Sequence, residues 1–374
     1  MKVMLITDIP NPYRIPLFNL LNGQLVASGH QLKVVFGSDR QHNRLFELDM
    51  ADCQFDYEIL PTKRYDLGHK ENTIINYKGL IRSVRTEQPD KIIVIGFTIA
   101  TMKLWWRSFF RKTHYLIWTG SIASRWSEDQ FLRSIQRKQL IGRATGFVVY
   151  GSRAKSYLES MGAAPSKVHI AINTTDTQFF RERTEQLRSN ETGDGKFHLL
   201  SIGYLNERKN VKKILNAIKL LKTERSDFIL DIVGDGDEKV ALENYTAEHN
   251  LQEVVKFHGF MQKEQLPSLL AQSTLFLFQT DFDIWGLALI EAMAAGLPAL
   301  ASIHAGAAAD VIEEGRTGFM VDFVEPRLVV EKINWLLDRP EQAHEMGKAA
   351  SKLIEENVSL TNSVDGFMSA IQQQ

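Results

Sequence analysis

Two acids eight positions apart, Asp283 and Glu291, flank a glycine in a segment that is otherwise almost wholly apolar, Asp283-Ile284-Trp285-Gly286-Leu287-Ala288-Leu289-Ile290-Glu291-Ala292-Met293-Ala294-Ala295-Gly296-Leu297-Pro298. The apolar run Leu275 to Phe278 before it reads as a buried strand, and Gly-Leu-Pro closes it ahead of a second apolar run, Ala299 to Ala301. Strand, helix and strand follow in order, with Asp283 in the loop that leaves the first strand and the helix opening at Gly286. A helix start offers unpaired N–H groups and a partial positive charge, which suits a phosphate. At a rise of about 1.5 Å per residue, Glu291 lies about 7 Å along the axis from Gly286. One acid can then reach past the phosphate while the other reaches toward the group attached on its near side. A lone acid is usually a solvated surface residue. Here the helix is apolar nearly all round and Glu291 is its only charge, so the carboxylate is buried and needs a ligand or a fixed donor.

A second constellation precedes it: Ser201-Ile202-Gly203-Tyr204-Leu205-Asn206-Glu207-Arg208-Lys209-Asn210. Strand, glycine, short loop and Arg-Lys just before a helix put two cations beside a helix start, an arrangement that suits a diphosphate. Solvated loop cations are the plainer explanation. It weakens once Asp283 and Glu291 are set on a neighbouring strand end of the same sheet.

The elements that position these residues form an alternating series. The first half offers strands near Lys2 to Thr7, Gln31 to Phe36, Tyr57 to Leu60, Lys91 to Ile95, His114 to Trp118, Gly146 to Tyr150 and Lys167 to Ile172. Ile74 to Gln88, closed by Pro89, and Arg153 to Met161, closed by Gly162, read as helices between them. Arg181 to Lys196, polar with Leu187 as its only aliphatic residue, reads as a linker. The series then restarts, with strands near Phe197 to Ile202, Phe228 to Val233, Val254 to Phe257, Leu275 to Phe278, Ala299 to Ala301 and Phe319 to Val321. This is an α/β chain of two doubly wound, Rossmann-like domains facing a cleft, with ligands at the carboxyl ends of the strands. The expected division is 1–180, a linker at 181–196, 197–355, and a C-terminal helix in 356–374 that packs back toward the first domain.

A length of 374 residues, 44% hydrophobic and 24% charged, fits two soluble globular domains. Cys53 is the sole cysteine, which excludes an intramolecular disulfide and points to a reducing, cytoplasmic setting. The N-terminus lacks the pattern of a secretory signal, and no apolar run approaches the roughly 18 residues of a membrane span. The net charge of −1 hides an asymmetry: 24 Lys plus Arg against 14 Asp plus Glu up to Thr175, and 20 against 31 thereafter. Between Met102 and Lys155 stand 11 basic residues and two acids, Glu128 and Asp129. Trp105, Trp106, Phe109, Phe110, Tyr115, Trp118, Trp126 and Phe131 are interleaved with them. Basic and aromatic residues together suit an anionic membrane surface, or else a buried aromatic helix with a solvated basic face. Nucleic acid is not an expected partner, because no motif for it is present and the acidic second half would have no role.

Taken together, the ordered set resembles the retaining glycosyltransferases of the GT-B fold, group 1 and family 4-like, whose E-x7-E signature is similar to Asp283 through Glu291 and the Ala292 to Pro298 that follow. Asn173-Thr174-Thr175-Asp176-Thr177-Gln178-Phe179, Gly234-Asp235-Gly236, Gly259-Phe260 and Glu314-Gly315-Arg316-Thr317-Gly318-Phe319 resemble further family motifs. The resemblance implies a nucleotide diphosphate sugar donor, a UDP-sugar by expectation, and transfer of a hexose with retention to a hydroxyl of a glycan or polyprenyl-linked acceptor. Asp283 would contact the hexose with help from the N–H groups of Trp285, Gly286 and Leu287, and Glu291 would bind the ribose. Lys209 and Arg208 would neutralise the departing diphosphate beside Gly203, while Gly234 and Asp235 line the base pocket. In the first domain, Asn11-Pro12-Tyr13-Arg14 would close over the phosphates, and Thr119-Gly120-Ser121 would lie near the anomeric carbon and the acceptor.

No cofactor or metal is expected. Asp281-Phe282-Asp283 and Asp235-Gly236-Asp237 spell D-x-D, a divalent-cation signature of a different glycosyltransferase fold, but two cations already stand where the diphosphate would sit. His42, His114, His169, His258 and His304 show no zinc spacing. Two other function classes stay open, a nucleotide-sugar epimerase on the same scaffold and a non-catalytic partner that binds nucleotide sugar. A dehydrogenase is disfavoured, since no Gly-x-Gly-x-x-Gly follows the first strand. The expected location is the cytoplasm, peripherally on the inner membrane face.

Overall fold

The computed structural model describes residues 1–37, 50–66, 73–123, 130–188 and 195–373. The chain divides into two compact units, Met1–Asn173 with Leu360–Gln374, and Thr174–Ser359.

The first unit holds strands β1 (Lys2–Thr7), β2 (Gln31–Phe36) and β3 (Asp56–Ile59), a hairpin of β4 (Thr62–Asp66) and β5 (Thr73–Tyr77), then β6 (Lys91–Ile95), β7 (Tyr115–Thr119), β8 (Gly146–Val149) and β9 (Val168–Ile170). Seven of these make one sheet, ordered β3-β2-β1-β6-β7-β8-β9. Every adjacent pair in it runs parallel. Parallel strands need long crossovers and helices on both faces, so their residues are apolar on both sides, as in the fully buried Tyr115–Thr119 and Gly146–Val149.

The second unit repeats the plan with β10 (Phe197–Ile202), β11 (Phe228–Val233), β12 (Val255–Gly259), β13 (Leu275–Phe278), β14 (Ala299–Ser302) and β15 (Gly318–Val321). Their order is β12-β11-β10-β13-β14-β15, again all parallel. On one face Leu199, Leu230, Ile232, Leu275, Leu277 and Leu300 pack against helix residues such as Ile214, Ile218, Val329 and Ile333. The winding reverses between β10 and β13, and the loops leaving those two strands open a crevice at their carboxyl ends.

Three expectations are corrected. Ile74 to Tyr77 do not begin a helix. They pair antiparallel with Thr62–Asp66, the buried Tyr77 hydroxyl donates to Asp8 (2.6 Å), and Gly79 at φ +81° separates this strand from the helix Leu80–Glu87. The segment 181–196 is not a plain linker, because Thr177–Arg188 is a helix of the second unit, with Thr177, Phe180 and Thr184 buried. Few buried positions suffice to seat it, so its polar composition hid it. Its start is fixed by Asp176, which accepts from the Phe179 N–H (3.2 Å), and residues 189–194 lie outside the described set. The unit boundary accordingly falls after Asn173 rather than at 180.

At the C-terminus, the helix Pro340–Asn357 belongs to the second unit, and Leu360–Gln372 belongs to the first. There Phe367 meets Trp118 edge to face, with centroids 5.2 Å apart. A Cβ on Gly366 would stand 2.1 Å from the Ile170 carbonyl oxygen, so only glycine allows this approach.

Candidate functional site

The site is assembled where the chain leaves β10 and β13, on either side of the reversal in strand order. Lys209 and Asp283 lie 74 residues apart in sequence, yet Lys209 Nζ donates to Asp283 Oδ2 at 2.6 Å. Arg208 Nη1 stands 3.6 Å from the same oxygen and donates to the Phe282 carbonyl (2.8 Å). Asp281 carries a parallel network, accepting from Asn210 Nδ2 (2.9 Å), Lys213 Nζ (2.5 Å) and Gln279 Nε2 (2.8 Å). The two carboxylates of Asp281-Phe282-Asp283 therefore serve different cations rather than converging. Local geometry supports the join. Asn206 Oδ1 accepts from the Lys209 N–H (3.0 Å), and Asn210 takes a left-handed φ of +42°, which asparagine tolerates.

Asp283 is fixed by its backbone as well. Its N–H reaches the His304 carbonyl (3.4 Å), its carbonyl accepts from the Gly306 N–H (2.9 Å), and its Oδ1 accepts from the Trp285 N–H (3.2 Å). Burial pushes this carboxyl up, but the charges of Lys209 and Arg208 outweigh it and hold Asp283 below the usual carboxylate range. Phe278, the last residue of β13, is the floor. Lys209 Nζ lies 4.3 Å from its ring centroid, and Gly286 packs so closely on the same ring that a Cβ would stand 2.7 Å from it. With φ at +118°, Gly286 is a position only glycine fills without strain.

Gly286 opens the helix Leu287–Ala294. Of the three N–H groups expected to face a ligand, that of Trp285 is already spent on Asp283. Those of Gly286 and Leu287 have no acceptor among the described residues. Trp285 itself is buried, with its indole N–H unpartnered. Glu291 sits one turn into the helix, half-buried, and no hydrogen bond or ion pair engages its carboxylate among the described residues. Burial pushes that carboxyl up to about 7, against the opposing pull of Lys263. Lys263, which nothing in the sequence singled out, also pairs with Asp176 (3.0 Å) and lies over the Phe179 ring (4.3 Å).

The neighbouring strand ends close the pocket. A Cβ on Gly234 would collide with the Gly203 carbonyl oxygen at 1.9 Å, and Gly234 holds φ +144°. Its N–H donates to the Gly259 carbonyl (2.8 Å). Asp235 is partly exposed, accepts from the Gly236 N–H (2.8 Å) and lies 3.7 Å from Lys239. Beneath these turns Asp231, buried in β11, accepts from His198 Nδ1 and His258 Nε2, both at 2.7 Å. Burial opposes its ionisation, and the two imidazoles still hold it below the usual range.

The first unit holds the remaining expected residues. Arg14 follows β1 but is 6% exposed. It donates to Thr7 Oγ1 (3.1 Å) and the Tyr150 hydroxyl (2.8 Å), and lies 4.4 Å over the Trp118 ring. This guanidinium is engaged inside its own unit. After β7, Thr119 Oγ1 donates to Ser121 Oγ (2.9 Å), and Gly120 packs on the Tyr150 ring. Of the aromatic set, Tyr115 and Trp118 are core, while Trp106, Phe109, Phe110 and Phe131 are exposed. Trp126, Glu128, Asp129 and His42 lie outside the described residues.

Residues 182–353 match the family model for glycosyl transferases group 1. The chain is 28% identical over 170 residues to the putative colanic acid biosynthesis glycosyltransferase WcaL of Salmonella typhimurium, covering 44% of this chain and 40% of that protein. It is 30% identical over 230 residues to spore coat protein SA of Bacillus subtilis, covering 56% and 60%. The chain spans about half the length of the curated relatives it matches. Among solved structures, HepE of Anabaena in complex with UDP superposes with a TM-score of 0.78 at 16% identity, covering 99% of both chains. HepE has also been solved with UDP-glucose. WaaG, a glycosyltransferase involved in lipopolysaccharide biosynthesis, superposes with a TM-score of 0.70 at 15% identity, covering 100% of both chains. The fold is thus GT-B, and the second unit carries the segment that matches the glycosyl transferases of group 1.

Proposed function

We propose that the chain is a retaining hexosyltransferase that moves a sugar from a UDP-sugar to a hydroxyl of a lipid-linked or cell-envelope glycan. The observation that carries this reading is the pairing of Lys209 and Arg208 with Asp283 across the switch point, beside the free N–H groups of Gly286 and Leu287. These donors suit a diphosphate, and their charge counts most as the sugar–phosphate bond breaks and negative charge collects on the leaving group. Asp283 then orients the hexose hydroxyls, and Glu291, with no partner among the described residues, accepts from the ribose. Gly203, Gly234 and Asp235 border the base. The acceptor oxygen attacks the anomeric carbon from the face the diphosphate leaves, and its proton passes to the departing phosphate oxygen. The naming of WcaL for colanic acid biosynthesis and the UDP-glucose complex of HepE favour an envelope glycan and a UDP donor.

Because two cations face the diphosphate, this reading requires no metal, and EDTA should leave turnover unchanged. UDP release, with the product's anomeric configuration read by NMR, tests the proposal. A new sugar nucleotide would indicate an epimerase, and binding without turnover would indicate a non-catalytic partner.

The partner proposed for the first unit is the anionic inner membrane surface. Trp106 (62% exposed), Phe110 (69%) and Phe131 (75%) stand out from two helices, Ile99–Arg107 and Gln130–Arg143, or just beyond them. The helices touch through Gln136 Nε2 and Met102 Sδ (3.1 Å), and Arg143 lies 3.9 Å over Phe109. No Asp or Glu occurs among the described residues from Ile99 to Arg143, and no helix among the described residues is long and apolar enough to cross a membrane. Rings and cations of this kind suit a headgroup layer. Flotation with anionic vesicles should carry the protein up, and equal recovery with neutral vesicles would contradict the proposal.

A further inference from the structure

A cavity of about 220 Å³ opens in the second unit at the amino-terminal ends of β13 and β14, the opposite edge of the sheet from Lys209 and Asp283. Arg188 enters it from the last turn of the helix Thr177–Arg188, together with Thr274, Gly296 and His344. The Arg188 guanidinium is half-buried, and among the described residues it makes no hydrogen bond and no ion pair. None of the nine described residues lining the cavity is acidic. Burial pulls its pKa down, and the carboxylate that opposes this, Glu185, is an exposed residue one turn back on the same helix. Arginine keeps its charge even so, and a half-buried cation without a counter-ion is costly.

Capping of the helix Leu287–Ala294 does not account for this side chain. A Cβ on Gly296 would stand 3.0 Å from Arg188 Nη1, so the guanidinium lies against that helix end. Yet it bonds no carbonyl there, and the Ala294 carbonyl is taken by Ser351 Oγ (2.8 Å). The Thr274 hydroxyl beside it is likewise without a partner among the described residues.

We infer that this cavity is a binding site for a small oxyanion, inorganic phosphate or the phosphate group of a small phosphorylated metabolite, held by the guanidinium fork of Arg188 and the Thr274 hydroxyl. The inference is independent of the donor site. Because Gly296 closes the helix that Gly286 opens, the site lies at the far end of the element carrying Glu291.

The test is the melting temperature of the full chain titrated with inorganic phosphate, and separately with glucose 6-phosphate, at constant ionic strength. Saturating ligand should raise it by roughly 5 °C. Whichever of the two half-saturates at lower concentration identifies the source. Lys209→Ala, which removes the principal cation of the donor site, should keep the shift. Arg188→Gln should lose it, Arg188→Lys should keep part of it, and the near-isosteric Thr274→Val should raise the half-saturating concentration several-fold. A shift unchanged in Arg188→Gln and Thr274→Val, one lost in Lys209→Ala, or none in the native protein would overturn the site.

Discussion

Glu291 makes donor binding depend on pH in a way that can be worked out in advance. Its carboxyl is pushed up to about 7 by burial, against the opposing pull of Lys263, and among the described residues no hydrogen bond or ion pair engages it. Ribose hydroxyls donate hydrogen bonds, so the ionised form is the one that binds them well. The ionised fraction falls from about nine-tenths at pH 8 to about one-tenth at pH 6, so the affinity for a UDP-sugar should fall about tenfold across that range. The diphosphate of a UDP-sugar is esterified at both ends and gains no proton there, which makes it a better probe than UDP. Calorimetric titration at several pH values should show this slope in the native protein and a flat, weak profile in Glu291→Gln. A second consequence runs the other way. A carboxyl raised from 4.5 to about 7 in the folded state stabilises the fold fully below pH 4.5, and that contribution is lost as the pH rises through 7. At pH 8 the empty Glu291→Gln variant should therefore be more stable than the native protein, by up to about 3 kcal/mol. A slope retained in Glu291→Gln, or a flat native profile, would refute the reasoning.

Lys209→Ala removes the principal cation facing the diphosphate, and kcat should fall about 10² to 10³-fold, more than donor affinity does, as read by UDP release. Gly286→Ala forces a Cβ against Phe278 at a left-handed φ and should cost on the order of 2–3 kcal/mol by urea unfolding, with donor binding lost as the helix start shifts. Asp231→Asn replaces an acceptor of two imidazole bonds with a group that must donate to one of them, at a cost of about 2–4 kcal/mol, measured in the same way. Because Asp231 is held below the usual range, the native protein's advantage over that variant should shrink as the pH falls toward the acid limit.

Most of the sheet could be read from the chain because parallel strands are apolar on both faces. Phe197–Ile202, Phe228–Val233 and Leu275–Phe278 lie where those runs place them. The hairpin was hidden because Ile74 to Tyr77 run straight into a helix, and short apolar runs fit either period. Thr177–Arg188 was hidden by its polar surface. The chemical pieces were legible singly, as two cations after one strand and an acid after another. Their direct pairing was not, since a contact spanning 74 residues depends on which strands become neighbours. The surroundings of Arg14 were not legible for a related reason, since only the fold brings up the Trp118 and Tyr150 that bury it. Nor does any local pattern mark Lys263 as a neighbour of Glu291.

The most direct test is a crystal structure of the protein with a non-hydrolysable UDP-sugar analogue. The diphosphate is expected within hydrogen-bond reach of Lys209 Nζ and the N–H groups of Gly286 and Leu287, with the ribose hydroxyls on Glu291 and the hexose on Asp283. A nucleotide seated elsewhere, with the Lys209–Asp283 pair undisturbed and Glu291 untouched, would contradict it.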